Sequence, residues 1–304
     1  MNYKILDDMK TTNIKKVNYS ITSVLCTLFS VLFISCSEQE IESFDSTKDT
    51  PITIASAGVA ELTTRVITDG KLVGTSNSHA TMSVFVTGGT ADKYNATNLK
   101  WEHDGTSWNS ETNVLYEGAS SQQKIYAYSP FFFDSTGSIA VNASEQTDWL
   151  VATATDLTSS VVNLTMTHAL TKLVLKPTFG TELTSQTITS VKVEGTYASG
   201  TLNVSDNSWS DLPEANTILA MANNELLVIP MESCTSLPIT ITMEDDRVFK
   251  TTINLATVDN KLEAGVQYNI KLRIGKDKVT IEQISTSDFD SPFGDGWNNE
   301  NDLM

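Results

Sequence analysis

From Pro51 onward the chain alternates apolar and polar residues with a period of two, broken by turn residues. That is the pattern of strands with one buried face. Val84 and Val86 alternate with Ser83 and Phe85, and Val162, Leu164 and Met166 alternate with Asn163 and Thr165. Ile239, Ile241 and Met243 repeat the pattern. The longest instance is Val266-Gln-Tyr268-Asn-Ile270-Lys-Leu272-Arg-Ile274, which predicts a strand with one wet face. Residues 124–128 run up to Pro130, which cannot donate to a ladder and ends the strand. Asp69-Gly70, Gly88-Gly89 and Asp104-Gly105 mark turns. No segment carries an amphipathic helix longer than two or three turns. The pattern predicts an all-β protein of antiparallel sandwiches. About 240 ordered residues exceed the needs of one seven-stranded sandwich, so two sandwich domains in series are expected, with a boundary near residues 165–168.

Composition strengthens that reading. Of 304 residues, 40% are hydrophobic, enough for a core, and 41 Thr against 25 Leu favour the pleated sheet. The formal charge is −17. Residues 36–304 carry 16 basic and 35 acidic residues, a surface that repels phosphate backbones and anionic lipid. Nucleic acid is therefore excluded as a partner.

The N-terminus reads as an address. Lys10, Lys15 and Lys16 precede a 14-residue apolar run from Ile21 to Ile34, too short to span a bilayer comfortably. Met1 or Met9 could be the start. The run ends in Leu32-Phe33-Ile34-Ser35-Cys36, a lipobox-like sequence in which Cys36 is acylated and becomes the first residue of the mature chain. An ordinary signal peptide with a chance cysteine is the alternative. A polar tether follows to Thr50. With Cys26 leaving with the signal, Cys234 is expected as a buried small hydrophobe.

No catalytic signature is present, and no cofactor is predicted. His79, His103 and His168 lie far apart in sequence and read as ordinary strand or loop residues. Asp288, Asp290, Asp295, Glu300 and Asp302 do not have the spacing of a calcium loop. Residues 287–304 are expected as a solvated acidic tail, and no metal site is predicted. Trp101 and Trp108 flank Asp104-Gly105 like a hairpin pinned to the core by aromatics. Read functionally, they form a sugar-stacking platform.

The order of features resembles the fimbrillin family, the subunits of lipoprotein-derived type V pili. The resemblance rests on the lipobox Cys36; on Thr53-Ile54-Ala-Ser-Ala-Gly58-Val59-Ala-Glu-Leu62 closing on Thr63-Thr64-Arg65; and on Met82-Ser-Val84-Phe-Val86. It rests further on Asp104-Gly-Thr-Ser-Trp108, Tyr126-Ala-Tyr128-Ser-Pro130-Phe131, Asp148-Trp-Leu-Val-Ala152 and Leu164-Thr-Met-Thr-His168-Ala-Leu170-Thr-Lys172-Leu173. It implies two transthyretin-like β-sandwich domains and cleavage between Arg65 and Val66 by a trypsin-like, Arg-specific protease. On that basis the chain divides into a signal (1–35), a propeptide (36–65), two sandwiches (66–166 and 167–286) and the tail (287–304).

Loss of an edge strand bares an apolar groove and unpaired backbone groups. Another chain then fills that groove by strand addition. The removable strand is expected to plug the groove with Ile52, Ile54, Ala60 and Leu62. The donor strand is expected around Val279, Ile281 and Ile284, with a bulge where Ile284 breaks the alternation. Head-to-tail donation does not close and yields a filament. The reading is a non-enzymatic subunit of surface fimbriae that supports adhesion. It partners other copies or related subunits, its protease, and the outer membrane through its lipid before cleavage. A monomeric glycan-binding surface lipoprotein using Trp101, Trp108 or Trp297 is the alternative, and a secreted hydrolase is the third.

Overall fold

A computed structural model describes residues 48–59, 80–183 and 185–289, with backbone alone at 67–68 and 71–72. Among the described residues the regular structure is strand, apart from three short 3-10 turns. The upstream strands are β1 (Thr50–Pro51), β2 (Thr53–Val59), β3 (Ile67–Thr68), β4 (Lys71–Leu72), β5 (Thr81–Thr87) and β6 (Ala96–His103). They continue with β7 (Trp108–Asn109), β8 (Leu115–Tyr116), β9 (Lys124–Ser129), β10 (Ser138–Asn142), β11 (Leu150–Asp156) and β12 (Val161–His168). Downstream lie β13 (Thr171–Phe179), β14 (Ile188–Thr196), β15 (Ser199–Asn203), β16 (Ser208–Ser210) and β17 (Thr217–Ala220). The last five are β18 (Glu225–Val228), β19 (Ser236–Met243), β20 (Val248–Asn254), β21 (Val266–Ile274) and β22 (Val279–Asp288).

The upstream strands form a nine-stranded sheet in the order β3-β4-β2-β12-β11-β9-β5-β6-β7. One of its faces gathers Ile54, Ala57, Met82, Val84, Val86, Trp101, Ile125, Leu164 and Met166 into a core, closed also by Ile52, Val114 and Tyr116. The downstream strands form two four-stranded sheets, β18-β13-β21-β22 and β17-β14-β19-β20. Their inner faces interdigitate around a second core containing Leu173, Val193, Ile239, Ile241, Ile270 and Leu272, the arrangement of a β-sandwich.

The second core also takes Phe85, Tyr128, Ile139, Val141, Trp149 and Val151 from upstream. Strand β5 is therefore buried on both faces. Val84 and Val86 enter the first core and Phe85 the second, and Ser83 is fully buried. A three-stranded sheet, β10-β15-β16, crosses residues 165–168 by pairing β10 with β15 from Ser138↔Asn203 to Asn142↔Ser199.

Two expectations need correction. Not every pairing is antiparallel, because β2 runs parallel to β12 and β13 runs parallel to β21. Parallel neighbours require a crossover, and both pairs join strands distant in sequence. Strand β21 is not wet along its polar side, since Gln267 and Asn269 are 2% and 1% exposed. Their amides are satisfied laterally, Gln267 Nε2 donating to Asn269 Oδ1 at 2.8 Å and Asn269 Nδ2 to Ser287 Oγ at 3.0 Å. Only Lys271 and Arg273 keep that side in contact with water.

Candidate functional site

Strand β2 is stitched into the first core along its length. Ile52, Ile54, Ala57 and Val59 are buried, none more than 6% exposed. Burying Ile52, Ile54 and Val59 contributes on the order of 1.5–3 kcal/mol each. The intervening Thr53 and Ala55 are exposed, as a period of two requires. Ile52 donates its N–H to Val114 O at 2.9 Å, Thr53 donates to Ser160 O at 2.8 Å, and Ser56 Oγ donates to Asn163 Oδ1 at 2.7 Å. Just upstream, Asp49 accepts from Lys93 Nζ at 2.6 Å and from the Tyr94 hydroxyl at 2.7 Å. Both bonds hold its carboxyl below the usual carboxylate range.

The partner of β2 depends on it. Strand β12 meets β11 only at Leu150↔His168 and Val151↔Thr167. Its stretch from Val161 to Met166 ladders to β2, with a register shift after Val162. A gap of about 220 Å³ lies beside that stretch, lined by Thr153, Thr155, Asn163, Thr165 and Thr167 among others. On its far side β2 is joined to β4 at Gly58↔Lys71.

Of the residues assigned to the removable strand, the structure places Ile52 and Ile54 in this core. Ala60, Leu62, Arg65 and Val66 lie outside the described residues, as do Cys36 and Trp297.

The three residues assigned to the donor strand come together at the other end of the chain. Strand β22 is the edge of its sheet and pairs antiparallel with β21. Val279 lies opposite Ile274, Ile281 opposite Leu272 and Ile284 opposite Ile270. Glu282 is left over between the pairs Leu272↔Ile281 and Lys271↔Gln283, and this bulge returns Ile284 to the face that Ile281 occupies. All three pack against the second core, half-buried.

The expectation of a solvated stretch from position 287 fails at Phe289. Phe289 is 3% exposed and stacks on His168, with ring centroids 3.8 Å apart and planes 14° from parallel. His168 is itself 3% exposed, its Nδ1 is 2.8 Å from Asp148 Oδ1, and Lys172 Nζ sits 5.6 Å from the Phe289 ring centroid. The apolar side chain and the aromatic face of His168 outweigh the surrounding acids. Phe289 set directly between Asp288 and Asp290 was the available signal. The remaining tail acids from Asp290 on lie outside the described residues.

Trp101 and Trp108 are 5% and 6% exposed, so they pin their hairpin to the core and present no platform. The turn between them is closed by Asp104, whose Oδ1 accepts from the N–H of Thr106 and of Ser107, both at 2.8 Å. Those bonds hold its carboxyl below the usual range. His103 packs edge-on against Trp108, far in sequence from His168, and His79 lies outside the described residues. Cys234 is buried and reduced, and burial pushes its thiol up. Among the described residues no cluster of His, Cys, Asp or Glu is arranged to hold a metal, and no helix is long and apolar enough to cross a membrane.

The fold resembles solved structures from Bacteroides species. A candidate cell adhesion protein from Bacteroides ovatus superposes with a TM-score of 0.59 at 19% identity, covering 79% of this chain and 98% of that one. One from Bacteroides uniformis gives 0.56 at 20%, covering 68% and 91%. The tip fimbrial protein Mfa3 of Porphyromonas gingivalis, truncated at its C-terminus, gives 0.49 at 9%, covering 79% and 100%. No curated protein is a significant match. The fimbrillin-like family matches residues 64–288, about three quarters of the chain, and the protein belongs to that family.

Proposed function

We propose that the protein is a structural, non-enzymatic subunit of surface fimbriae. It is exported as a lipoprotein through Cys36, released by cleavage between Arg65 and Val66, and polymerised by strand exchange to support adhesion. The observation that carries this reading is the position of β2. It fills the first core, it is the ladder partner of residues 161–166 of β12, and it lies upstream of Arg65. Cutting after Arg65 frees the segment holding Ile52, Ile54, Ala60 and Leu62. That leaves apolar surface and a row of unpaired N–H and C=O groups on β12, both of which a strand from another subunit satisfies. The donor assigned here is β22. In the monomer it covers its own core as an edge strand, so donation exchanges one covered edge for another.

The test is treatment of the uncleaved chain with an Arg-specific protease, followed by N-terminal sequencing and size analysis. The expected product begins at Val66 and forms oligomers that a peptide copying residues 278–290 caps. Surface material that still begins at Cys36 overturns the cleavage step, and a Val66 product that stays monomeric overturns the exchange step.

A further inference from the structure

The sheet β18-β13-β21-β22 has one face in the second core, through Leu173, Leu175, Ile270 and Leu272. Its other face carries Lys172, Val174, Lys176 and Thr178 of β13, in register with Gln267, Asn269, Lys271 and Arg273 of β21. A face with nothing laid over it exposes alternate residues along every strand. This one does not. Val174, Gln267 and Asn269 are 4%, 2% and 1% exposed, and none of them belongs to either core. Lateral hydrogen bonds satisfy the two amides, but they do not shield the valine beside them. Burial also holds the Lys176 ammonium below its ordinary value, against the opposing pull of Glu225.

The same face has the opposite sign to the rest of the protein. Lys172, Lys176, Lys271 and Arg273 stand on it. Only two carboxylates answer them, Glu225 at 3.3 Å from Lys172 and Glu282 at 3.9 Å from Lys271. That leaves a cationic surface on a chain of formal charge −17, which favours an acidic occupant.

The chain leaves β22 toward this face. Strands β22 and β13 are two spacings apart, about 10 Å. Even so, Phe289 stacks on His168 just upstream of β13, and Lys172 Nζ lies over its ring. Beside that ring is a cavity of about 320 Å³, lined by Ala222, Leu226, Leu227 and Lys172 among others. Residues 290–304 follow. They carry Asp290, Asp295, Glu300 and Asp302, no basic residue, and the large apolar side chains of Phe293 and Trp297. An extended chain reaches about 13 Å from Phe289 by Phe293 and about 26 Å by Trp297. The face measures about 20 Å along β13 from Lys172 to Thr178, so this segment is long enough to cross it.

We propose that residues 290–304 dock across this face, with Phe293 in the cavity beside Phe289, Trp297 over Val174, and the carboxylates against Lys176, Lys271 and Arg273. The segment is then a strap that holds β22 in its own sheet, because β22 cannot peel from β21 without lifting it. The bearing on assembly rests on β22 being the donor: a strapped β22 is withheld from other subunits until the segment lets go.

The experiment compares the uncleaved chain with a variant ending at Phe289, so docking is read without any assembly step. A carbodiimide joins carboxylates to amines where they touch, and the full chain is expected to give intramolecular links from Asp295, Glu300 or Asp302 to Lys176 or Lys271. Amine labelling read by mass spectrometry is expected to modify Lys176 about tenfold faster in the shortened chain. Amides of residues 279–286 are expected to exchange faster there too. Trp297→Ser, with every charge kept, is expected to give part of both effects, and melting temperature reports whether each variant has folded. Absence of any link from these carboxylates to Lys176 or Lys271, or equal labelling of Lys176 in the two folded chains, overturns the docking. Equal exchange across β22 overturns the strap. If the shortened chain exchanges faster at β22 but, once cut at Arg65, forms oligomers no sooner than the full chain, the strap stands and β22 is not the donor.

Discussion

Phe289 shows how one side chain sets where an element ends. The sequence around it reads as solvated acid, because Asp288 and Asp290 flank it. Its burial depends on His168, 121 positions upstream, offering a flat face held in place by Asp148. Such a long-range fit leaves no periodic trace. The Trp101–Trp108 hairpin was legible, because an Asp-Gly turn and two flanking aromatics are local and the Asp104 bonds are made within the turn itself. Truncating a buried Phe costs about 3–5 kcal/mol. Phe289→Ala is therefore expected to lower the melting temperature by roughly 6–20 °C and to loosen the end of β22. Calorimetry checks the first effect and amide exchange at residues 285–288 the second. A shift under about 1 °C would mean that the ring contributes nothing to holding the strand.

At the scale of strands, the alternating pattern located β12, β19, β21 and β22, because each has one face in a core. It also located the β22 bulge, since Ile284 falls out of step with Val279 and Ile281 by one residue. It could not show that Gln267 and Asn269 are covered, because their amides pair with each other and with Ser287 rather than with anything periodic. Nor could it show that β2 runs parallel to β12, since pairing direction is a matter of connection, not composition. The dependence of β12 on β2 gives a test of the removable-strand assignment. Ile54→Asp places an unpaired carboxylate in the first core and is expected to cost at least about 4 kcal/mol in the uncleaved chain, read by urea unfolding. After cleavage at Arg65 and loss of β2 the same variant should unfold as wild type does. In both, amides of residues 161–166 should exchange faster until an incoming strand protects them. A persistent penalty after cleavage would show that β2 stays.

Across the whole molecule the two cores are not independent. The sequence suggests sandwiches in series, since each half supplies enough alternating strands for one. What it cannot reveal is that β5, β9 and β11 turn a second apolar face, through Phe85, Tyr128 and Val151, toward the downstream core. Nor does it reveal that β10 pairs along its length with β15. A residue such as Phe85 reads as an interruption of one alternation, when it is the buried position of another. The downstream sheets cannot close their core without these upstream side chains, so the two cores should fold and melt together. Calorimetry of the uncleaved chain is expected to show one transition over the described fold. A chain of residues 167–289 alone should lack it, since removing Phe85, Tyr128, Val141 and Trp149 leaves their downstream neighbours facing water. Cleavage at Arg65 should lower that transition without splitting it, because β2 contributes to the first core alone. Two separated transitions, with residues 167–289 reproducing one of them, would show that strands shared between the cores do not couple them. Events at the β2 groove would then have no energetic route to the downstream half.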